Sequence, residues 1–283
     1  MKYELLNTIT PGTEAWDQVV ARAKKNHERI IVLAAMPNFA GILNQAGLKG
    51  VSLIDRVCNR TYKKDDYMFF DRIPVPTGAK IEMNEDGNLN VLYDGDKIAN
   101  VSLYPNTRRA VQDVRYLNPD GTLDYIEEYA TDGSHYTNIY YYNNEMQEID
   151  FLDMQERPVL RYYLYEGVIN FVTIENPVTR EVTAKYNSVR EFVTAEMPNI
   201  VKPNDTVTIS YMGIELDALG QTNSHNILAM VEDPFDEHHE VRGNLQAILK
   251  NDIKTVQEVQ VPVIAYQELQ KTDLPSDKLK LLK

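Results

Sequence analysis

The sequence of 283 residues holds one cysteine and one tryptophan. Cys58 has no partner for an internal disulfide, which excludes a disulfide-stapled secreted scaffold and makes a reducing cytoplasm the simplest compartment. Long apolar runs are also missing. The longest, residues 30–36, stops at Pro37-Asn38, far short of the roughly 20 apolar residues that a spanning helix needs, so no integral membrane segment is expected. Residues 1–16 carry two acids and lack the apolar centre of a secretory signal. Basic residues are in deficit, 29 against 42 acidic, for a net charge of −13. Such a field repels a phosphate backbone, so no nucleic-acid partner is expected. The tight basic clusters Lys24-Lys25, Lys63-Lys64, Arg108-Arg109 and the tail Lys278, Lys280, Lys283 read as solvated surface.

Catalytic signatures are absent as well. There is no G-x-G-x-x-G, no G-x-x-x-x-G-K-[ST], no G-x-S-x-G and no H-E-x-x-H. The turn Ala35-Met36-Pro37-Asn38, read as the first between strand and helix, has no glycine to admit a pyrophosphate. Arg56 and Arg60 flank Cys58 in sequence, but no histidine is near it, and the thiol reads as buried and inert. No catalytic residue, cofactor or metal site is expected. The densest polar cluster, Glu232-Asp233-Pro234-Phe235-Asp236-Glu237-His238-His239-Glu240, follows an expected strand and so falls at the ligand-binding edge of an open α/β sheet. Its adjacent histidines diverge on most backbones, and it reads as a solvated loop before a metal site.

What is present is an ordinary globular composition, 43% hydrophobic and 25% charged, long enough for one large domain or two smaller ones. Two patterns divide it. Residues 1–70 look α/β. Trp16, Val19, Val20 and Ala23 recur at helical spacing, Ile30-Ile31-Val32-Leu33 opens a buried strand, and a second helix starts at Pro37-Asn38 and ends at Gly47. The α/β pattern returns after Ser188, with strands at residues 206–210, 225–231 and 255–263 between helices at 189–195, 214–219, 241–249 and 265–269. In between, turn signals punctuate short strands: Asp86-Gly87, Asp94-Gly95, Asp120-Gly121, Asp132-Gly133, Asn143-Asn144 and Glu166-Gly167.

Of the 18 tyrosines, 11 fall between Tyr104 and Tyr165. Turn positions there recur at Gly121, Gly133, Glu145, Gln155 and Gly167, giving one strand and one turn per unit and hence an antiparallel meander. Such a meander needs no ligand, yet a tyrosine-rich single layer is also suited to an interaction surface. The expected fold is α/β plus β: a Rossmann-like parallel sheet from residues 1–70 and 188–283, with an antiparallel tyrosine-rich meander inserted at 71–187.

Three segments carry a family resemblance. They are Phe70-Asp71-Arg72-Ile73-Pro74-Val75-Pro76; the aromatic and Asp-Gly run from Val111 to Tyr165, closed by Glu175-Asn176-Pro177-Val178-Thr179; and Gly243-Asn244-Leu245-Gln246-Ala247-Ile248-Leu249. In order and spacing they resemble the glycosyltransferase-stabilising subunits of accessory Sec systems, of the GtfB type, over about residues 65–270. The resemblance implies the first half of a GT-B layout with an inserted extended β-sheet domain. It further implies a non-catalytic partner of a glycosyltransferase that adds N-acetylglucosamine to Ser or Thr of serine-rich repeat adhesins. The partners would be the catalytic subunit and a Ser/Thr-rich acceptor polypeptide. The location would be cytoplasmic, and peripheral at the inner face of the membrane. Tyr140, Tyr141, Tyr142, Tyr162, Tyr163 and Tyr165 are the expected assembly surface, and Glu232, Asp233 and Asn244 the acceptor-side candidates. The sequence departs from the family in stopping at Lys283, after what would be the first Rossmann-like fold, so sugar transfer by this chain alone is not expected. Extended β-sheet domains also occur in teichoic-acid glycosyltransferases. The alternatives are therefore the N-terminal portion of such an enzyme, or a sugar-independent interaction scaffold.

Overall fold

The computed structural model describes residues 1–64, 66–105 and 107–282; Lys283 of the basic tail lies outside them. In chain order the first elements are β1 (Lys2–Leu6), α1 (Glu14–Asn26), β2 (Arg29–Val32), α2 (Phe39–Ala46), β3 (Gly50–Ser52) and α3 (Leu53–Val57). Ten strands follow: β4 (Lys80–Met83), β5 (Leu89–Tyr93), β6 (Asp96–Leu103), β7 (Val111–Leu117), β8 (Leu123–Tyr129), β9 (His135–Tyr142), β10 (Glu145–Leu152), β11 (Pro158–Tyr165), β12 (Val168–Glu175) and β13 (Val182–Tyr186). The chain then runs through α4 (Val189–Glu196), β14 (Thr206–Ile209), α5 (Ile214–Ala218), β15 (His225–Ala229), α6 (Gly243–Leu249), β16 (Glu258–Val261), α7 (Val263–Leu269) and β17 (Leu279–Leu281). Two compact units result. One comprises residues 1–35, 43–53 and 193–283, the other 36–42 and 54–192. This division falls earlier along the chain than the change of sequence pattern near Phe70.

The first unit holds a seven-stranded parallel sheet in the order β17-β16-β15-β14-β1-β2-β3. Chain order reverses between β1 and β14, which is the doubly wound arrangement. Its strands are apolar on both faces, as burial between helices requires: Leu5, Ile30, Ile31, Val207, Ile209, Leu228 and Val259 are fully buried. α1 is capped at both ends. Thr13 Oγ1 accepts the Trp16 N–H at 3.3 Å, and His27 turns left-handed (φ 57°) while the Glu28 N–H returns to the Ala23 carbonyl at 2.8 Å.

β1 precedes the strand that the sequence pattern takes as first, so the first strand–helix turn is the loop from Asn7 to Thr13. The pattern hides β1 because Glu4 stands at its centre. That carboxylate is fully buried and ion-paired to Arg22 of α1, which also donates to Ser210 Oγ at 2.7 Å. Glu28 lies beside the pair with its Oε2 unpartnered. Burial, and then the charge of Glu4, push its carboxyl up to about 7.

The second unit holds a ten-stranded antiparallel sheet in strict chain order, β4 through β13. Three hairpins share one turn, with the sequences Asn-Glu-Asp-Gly-Asn, Asn-Pro-Asp-Gly-Thr and Ala-Thr-Asp-Gly-Ser. In each the glycine is left-handed, at φ 85°, 84° and 76°, and the preceding aspartate accepts the N–H of the residue after the glycine. The left-handed residues closing successive turns are Gly121, Gly133, Asn144, Glu156 and Gly167. Asn144 and Glu156, one position from the expected Glu145 and Gln155, are thus the equivalents, because two-residue turns alternate unevenly with longer ones.

The core of this sheet changes sides. Register aligns one cross-strand row as Leu89, Val101, Val114, Glu127, Asn138, Asp150, Arg161 and Thr173. The first three are buried in an apolar cluster under Met68, Phe70, Val75 and Ala79; the rest are polar. The adjoining row on the opposite face runs Asn90, Asn100, Arg115, then Ile126, Ile139, Ile149, Tyr162, Val172 and Tyr186. The apolar face therefore switches between β7 and β8, which a one-residue change in the phase of alternation suffices to produce.

Candidate functional site

Two places in the molecule gather chemistry. The first is the C-terminal edge of the parallel sheet, at the reversal between β1 and β14, where open α/β sheets take ligands. A cleft of about 300 Å³ opens there. Its walls come from the loop after β1 (Asn7, Thr8, Thr10, Thr13), from Trp16 and Val19 of α1, and from Ser210, Tyr211 and Glu215 beyond β14. Aliphatic side chains (Leu6, Ile9, Ala15, Val19, Val231) and Trp16 line it beside threonine and serine hydroxyls, with no lysine or arginine among the described lining residues. Glu215, in the first turn of α5, is 5% exposed and accepts the Asn7 N–H at 3.0 Å. Burial raises its pKa, and the charge of Glu232 adds to the rise. The lining thus offers a phosphate no basic side chain of its own, and Arg22, which reaches the lining hydroxyl of Ser210, is ion-paired to Glu4.

The acceptor-side candidates sit around this edge. Glu232 is exposed and reaches Glu215 through its field. Asp233 is spent on the loop itself, where Oδ1 accepts the Phe235 N–H at 2.9 Å and its carbonyl accepts Arg242 Nε at 2.6 Å. Asn244, on α6, donates to the Met212 carbonyl at 3.1 Å. Asp236 closes the acidic loop by accepting the N–H groups of His238 and Glu240. Among the described residues no group of histidine, cysteine or acid side chains is placed to hold a metal. The same edge carries a row of exposed apolar side chains, Tyr211, Val231, Val263 and Ile264, following β14, β15 and β16 in turn. Sequence patterning missed Glu215 because α5 is too short to show a period.

The second place is the polar face of β8–β12, where exposed Tyr140 stands among half-buried rings. A row of rings crosses it by register: Tyr116, Tyr125, Tyr140, then Glu148, Tyr163 and Phe171. Tyr116 and Tyr125 stack at 4.4 Å, Tyr125 and Tyr140 lie 6.2 Å apart, and Tyr163 and Phe171 are at 5.9 Å. Beside them Arg161 meets three carboxylates, Glu148 at 2.6 Å, Glu175 at 3.0 Å and Asp150 at 3.4 Å. Burial, then the hydrogen bond shared with Glu148, push Asp150 up to about 7.

Of the six tyrosines expected at a surface, Tyr140, Tyr142 and Tyr165 are exposed, and Tyr141 and Tyr163 half-buried. Tyr162 is corrected to a core residue. It faces the other way, packed edge-on against Phe151 at 4.9 Å and Phe192 at 6.0 Å. Tyrosine on both faces of Arg-Tyr-Tyr-Leu-Tyr hides the phase. Tyr116 and Tyr125, missed from the sequence, continue the ring row but are half-buried, Tyr116 packing on the apolar cluster of Leu89, Val101 and Val114.

Cys58 is buried, and burial pushes its thiol well above the ordinary range. Its neighbour Arg60 fastens the segment before the sheet to the meander, donating to Ser134 Oγ (2.6 Å) and to the carbonyls of His135 (2.8 Å) and Leu152 (2.7 Å). No described helix is long and apolar enough to cross a membrane.

No family model matches the sequence, and no curated protein does. Solved structures match along the whole chain. Accessory secretory protein 1, 2 and 3 of Streptococcus pneumoniae aligns with TM-score 0.77 at 14% identity, over 100% of this chain and 62% of that one. The pneumococcal O-GlcNAc transferase GtfA in complex with UDP and GlcNAc aligns with TM-score 0.77 at 14% identity, over 100% and 59%. A GtfA/B complex bound to UDP and GlcNAc aligns with TM-score 0.73 at 17% identity, over 100% and 61%. The chain thus spans about three-fifths of the length of each. At these identities the likeness is one of fold: a GT-B-type parallel sheet with a separate antiparallel sheet inserted in it, as these glycosylation-related structures have.

Proposed function

We propose that the chain is a non-catalytic subunit that stabilises a protein O-glycosyltransferase acting on serine-rich repeat adhesins. In this reading the catalytic partner adds N-acetylglucosamine to Ser or Thr, and this chain holds the partner and touches the acceptor polypeptide. The observation that carries it is the inserted sheet, whose β8–β12 half presents exposed Tyr140, Tyr142 and Tyr165 on a fold shared with a GtfA/B complex. Exposed Tyr140, Tyr142 and Tyr165, with Tyr125 and Tyr163, are the side chains assigned to the partner. The switch-point cleft, free of basic side chains and rich in hydroxyls, is assigned to the uncharged acceptor. The exposed row Tyr211, Val231, Val263 and Ile264 is where a second α/β body would seat. Such a complex would work in the cytoplasm, held at the membrane's inner face through its partners.

The test is co-purification with the candidate glycosyltransferase of the same organism, followed by transfer from UDP-GlcNAc to a Ser/Thr-rich peptide. A stable complex with transfer raised above the enzyme alone is expected. Absence of a complex sinks the reading. A second reading, a portion of a catalytic GT-B glycosyltransferase, is favoured by the equally good alignment to GtfA itself. UDP-sugar hydrolysis by this chain in isolation would establish it and remove the first.

A further inference from the structure

A cationic-aromatic cluster is built from residues of neither place described above. Phe69 bridges to Ala110 in antiparallel fashion; the Phe70 N–H donates to the Arg109 carbonyl at 3.1 Å and the Val111 N–H to the Met68 carbonyl at 2.8 Å. That pairing brings two guanidinium groups over one ring: Arg109 lies 5.0 Å and Arg72 5.8 Å from the Phe69 centroid. Tyr67 stacks on the same ring at 5.8 Å, within 15° of parallel.

The cluster is held rigidly. A Cβ on Gly133 would lie 2.2 Å from the Met68 nitrogen, so the backbone carrying Tyr67 and Met68 rests directly on the hairpin. On the other side, Thr107 Oγ1 accepts the N–H groups of Arg109 and Ala110, and Arg108 is held left-handed at φ 51°. A non-glycine residue fixed in that region is backbone strain that the surroundings must overcome.

Arg72, Arg108 and Arg109 are all exposed, and none has a described carboxylate within ion-pairing distance. Asp66 is engaged in accepting the Tyr67 N–H at 3.0 Å, and Asp71 is exposed on the same segment. In a chain of net charge −13, two guanidinium groups held over one phenyl ring, without a carboxylate partner among the described residues, depart from the solvated pair that the sequence suggests for Arg108-Arg109. Arginine and aromatic residues in this combination are the composition of interface anchors. A lone phosphate would satisfy the guanidinium forks but leave the exposed ring of Tyr67 wet. An acidic segment bearing an aromatic or apolar side chain covers both.

We propose that Phe69, Arg72 and Arg109, flanked by Tyr67 and Arg108, form a docking site for an acidic polypeptide segment that carries an aromatic side chain between its carboxylates. The test uses the full chain and a fluorescein-labelled peptide, Asp-Glu-Phe-Glu-Asp, with an analogue in which Ser replaces the Phe. Fluorescence anisotropy at low salt should show saturable binding by the wild-type chain. Affinity should fall at least tenfold for the double variant Arg72→Gln/Arg109→Gln and at least threefold for Phe69→Leu. It should be unchanged for Lys24→Gln/Lys25→Gln, which removes the same charge elsewhere. Circular dichroism and Tm confirm that each variant is folded. Equal binding by the arginine double variant, or no saturable binding by the wild type, overturns the proposal. Binding of the Ser analogue as tightly as the Phe peptide, with displacement by inorganic pyrophosphate, also overturns it, in favour of an anion site without a peptide.

Discussion

The two halves of the ten-stranded sheet use the same strand chemistry to opposite ends. In β4–β7 the row beginning at Leu89 is apolar and the row beginning at Asn90 polar; in β8–β13 the polarity reverses, with Asp150 and Thr173 buried on the polar row. A single antiparallel layer that keeps one face dry along its whole length needs one long cover. By switching faces, this sheet is covered by the segment around Met68 to Ala79 on one side and by aromatic residues such as Phe192 on the other. The polar face of β8–β13 is thus not a leftover. It appears where the phase of alternation changes, and the tyrosines stand on it from there onward.

The sharpest way to break the comparison is to put one charge at equivalent rows of the two halves. Val114→Lys buries an unpaired ammonium and should cost about 4 kcal/mol or more, whereas Asn138→Lys, on the same row of the other half and directly opposite Glu127 and Asp150, should stay within about 1 kcal/mol. Urea unfolding of the two variants measures both; similar losses would mean that the face does not switch.

Next in size is a pair of turns with one motif. Gly133→Ala meets backbone at 2.2 Å and should cost several kcal/mol, on the scale of overpacking plus left-handed strain (about 3). Gly121→Ala, at φ 84° with open space around it, should cost only about 1 kcal/mol. Equal thermal shifts would contradict the close approach to Met68.

The ten-stranded sheet and the parallel-sheet unit differ less in their response to pH. Asp150 and, in the parallel-sheet unit, Glu28 are each raised to about 7 from ordinary values of 3.8 and 4.5. Between those limits the folded chain binds more protons than the unfolded one, so their contribution to stability is present at low pH and is lost as pH rises toward 7. Asp150→Asn and Glu28→Gln should each flatten the fall of the urea midpoint between pH 4.5 and 7.5, additively because they lie in different units. An unchanged slope in both variants would refute the raised values.

The smallest stability effect is expected at the wet face. Tyr142→Ser should change Tm by no more than about a degree, since surface substitutions stay within about 0.5 kcal/mol. Tyr162→Ala should lose about 3–5 kcal/mol. The first should weaken the proposed partner complex while leaving the fold intact, which co-purification reads directly.

Much of this was legible in the residues. The meander follows from Asp-Gly turns whose aspartate and glycine each have a mechanical task, and the parallel sheet from short β-branched runs between helices. What stayed hidden has physical causes. β1 carries a buried glutamate whose arginine partner is 18 residues away on α1, so local alternation misreads the strand. Tyr162 could not be separated from Tyr163 by pattern, because tyrosine serves either face. Glu215 sits on a five-residue helix, and its burial depends on β1 and β14 meeting across the chain. The arginine pair over Phe69 joins segments some 40 residues apart by a single bridge, Phe69 to Ala110, which leaves no periodic trace.

Cys58 gives the chain its own clock. It is the single thiol in 283 residues and is fully enclosed in the sheet unit beside Arg60. A thiol reagent can reach it only when that unit opens. Its labelling rate in native buffer therefore reports how often the meander unfolds while the parallel sheet is watched separately through Trp16, so one unmodified molecule distinguishes joint from independent opening of its two units.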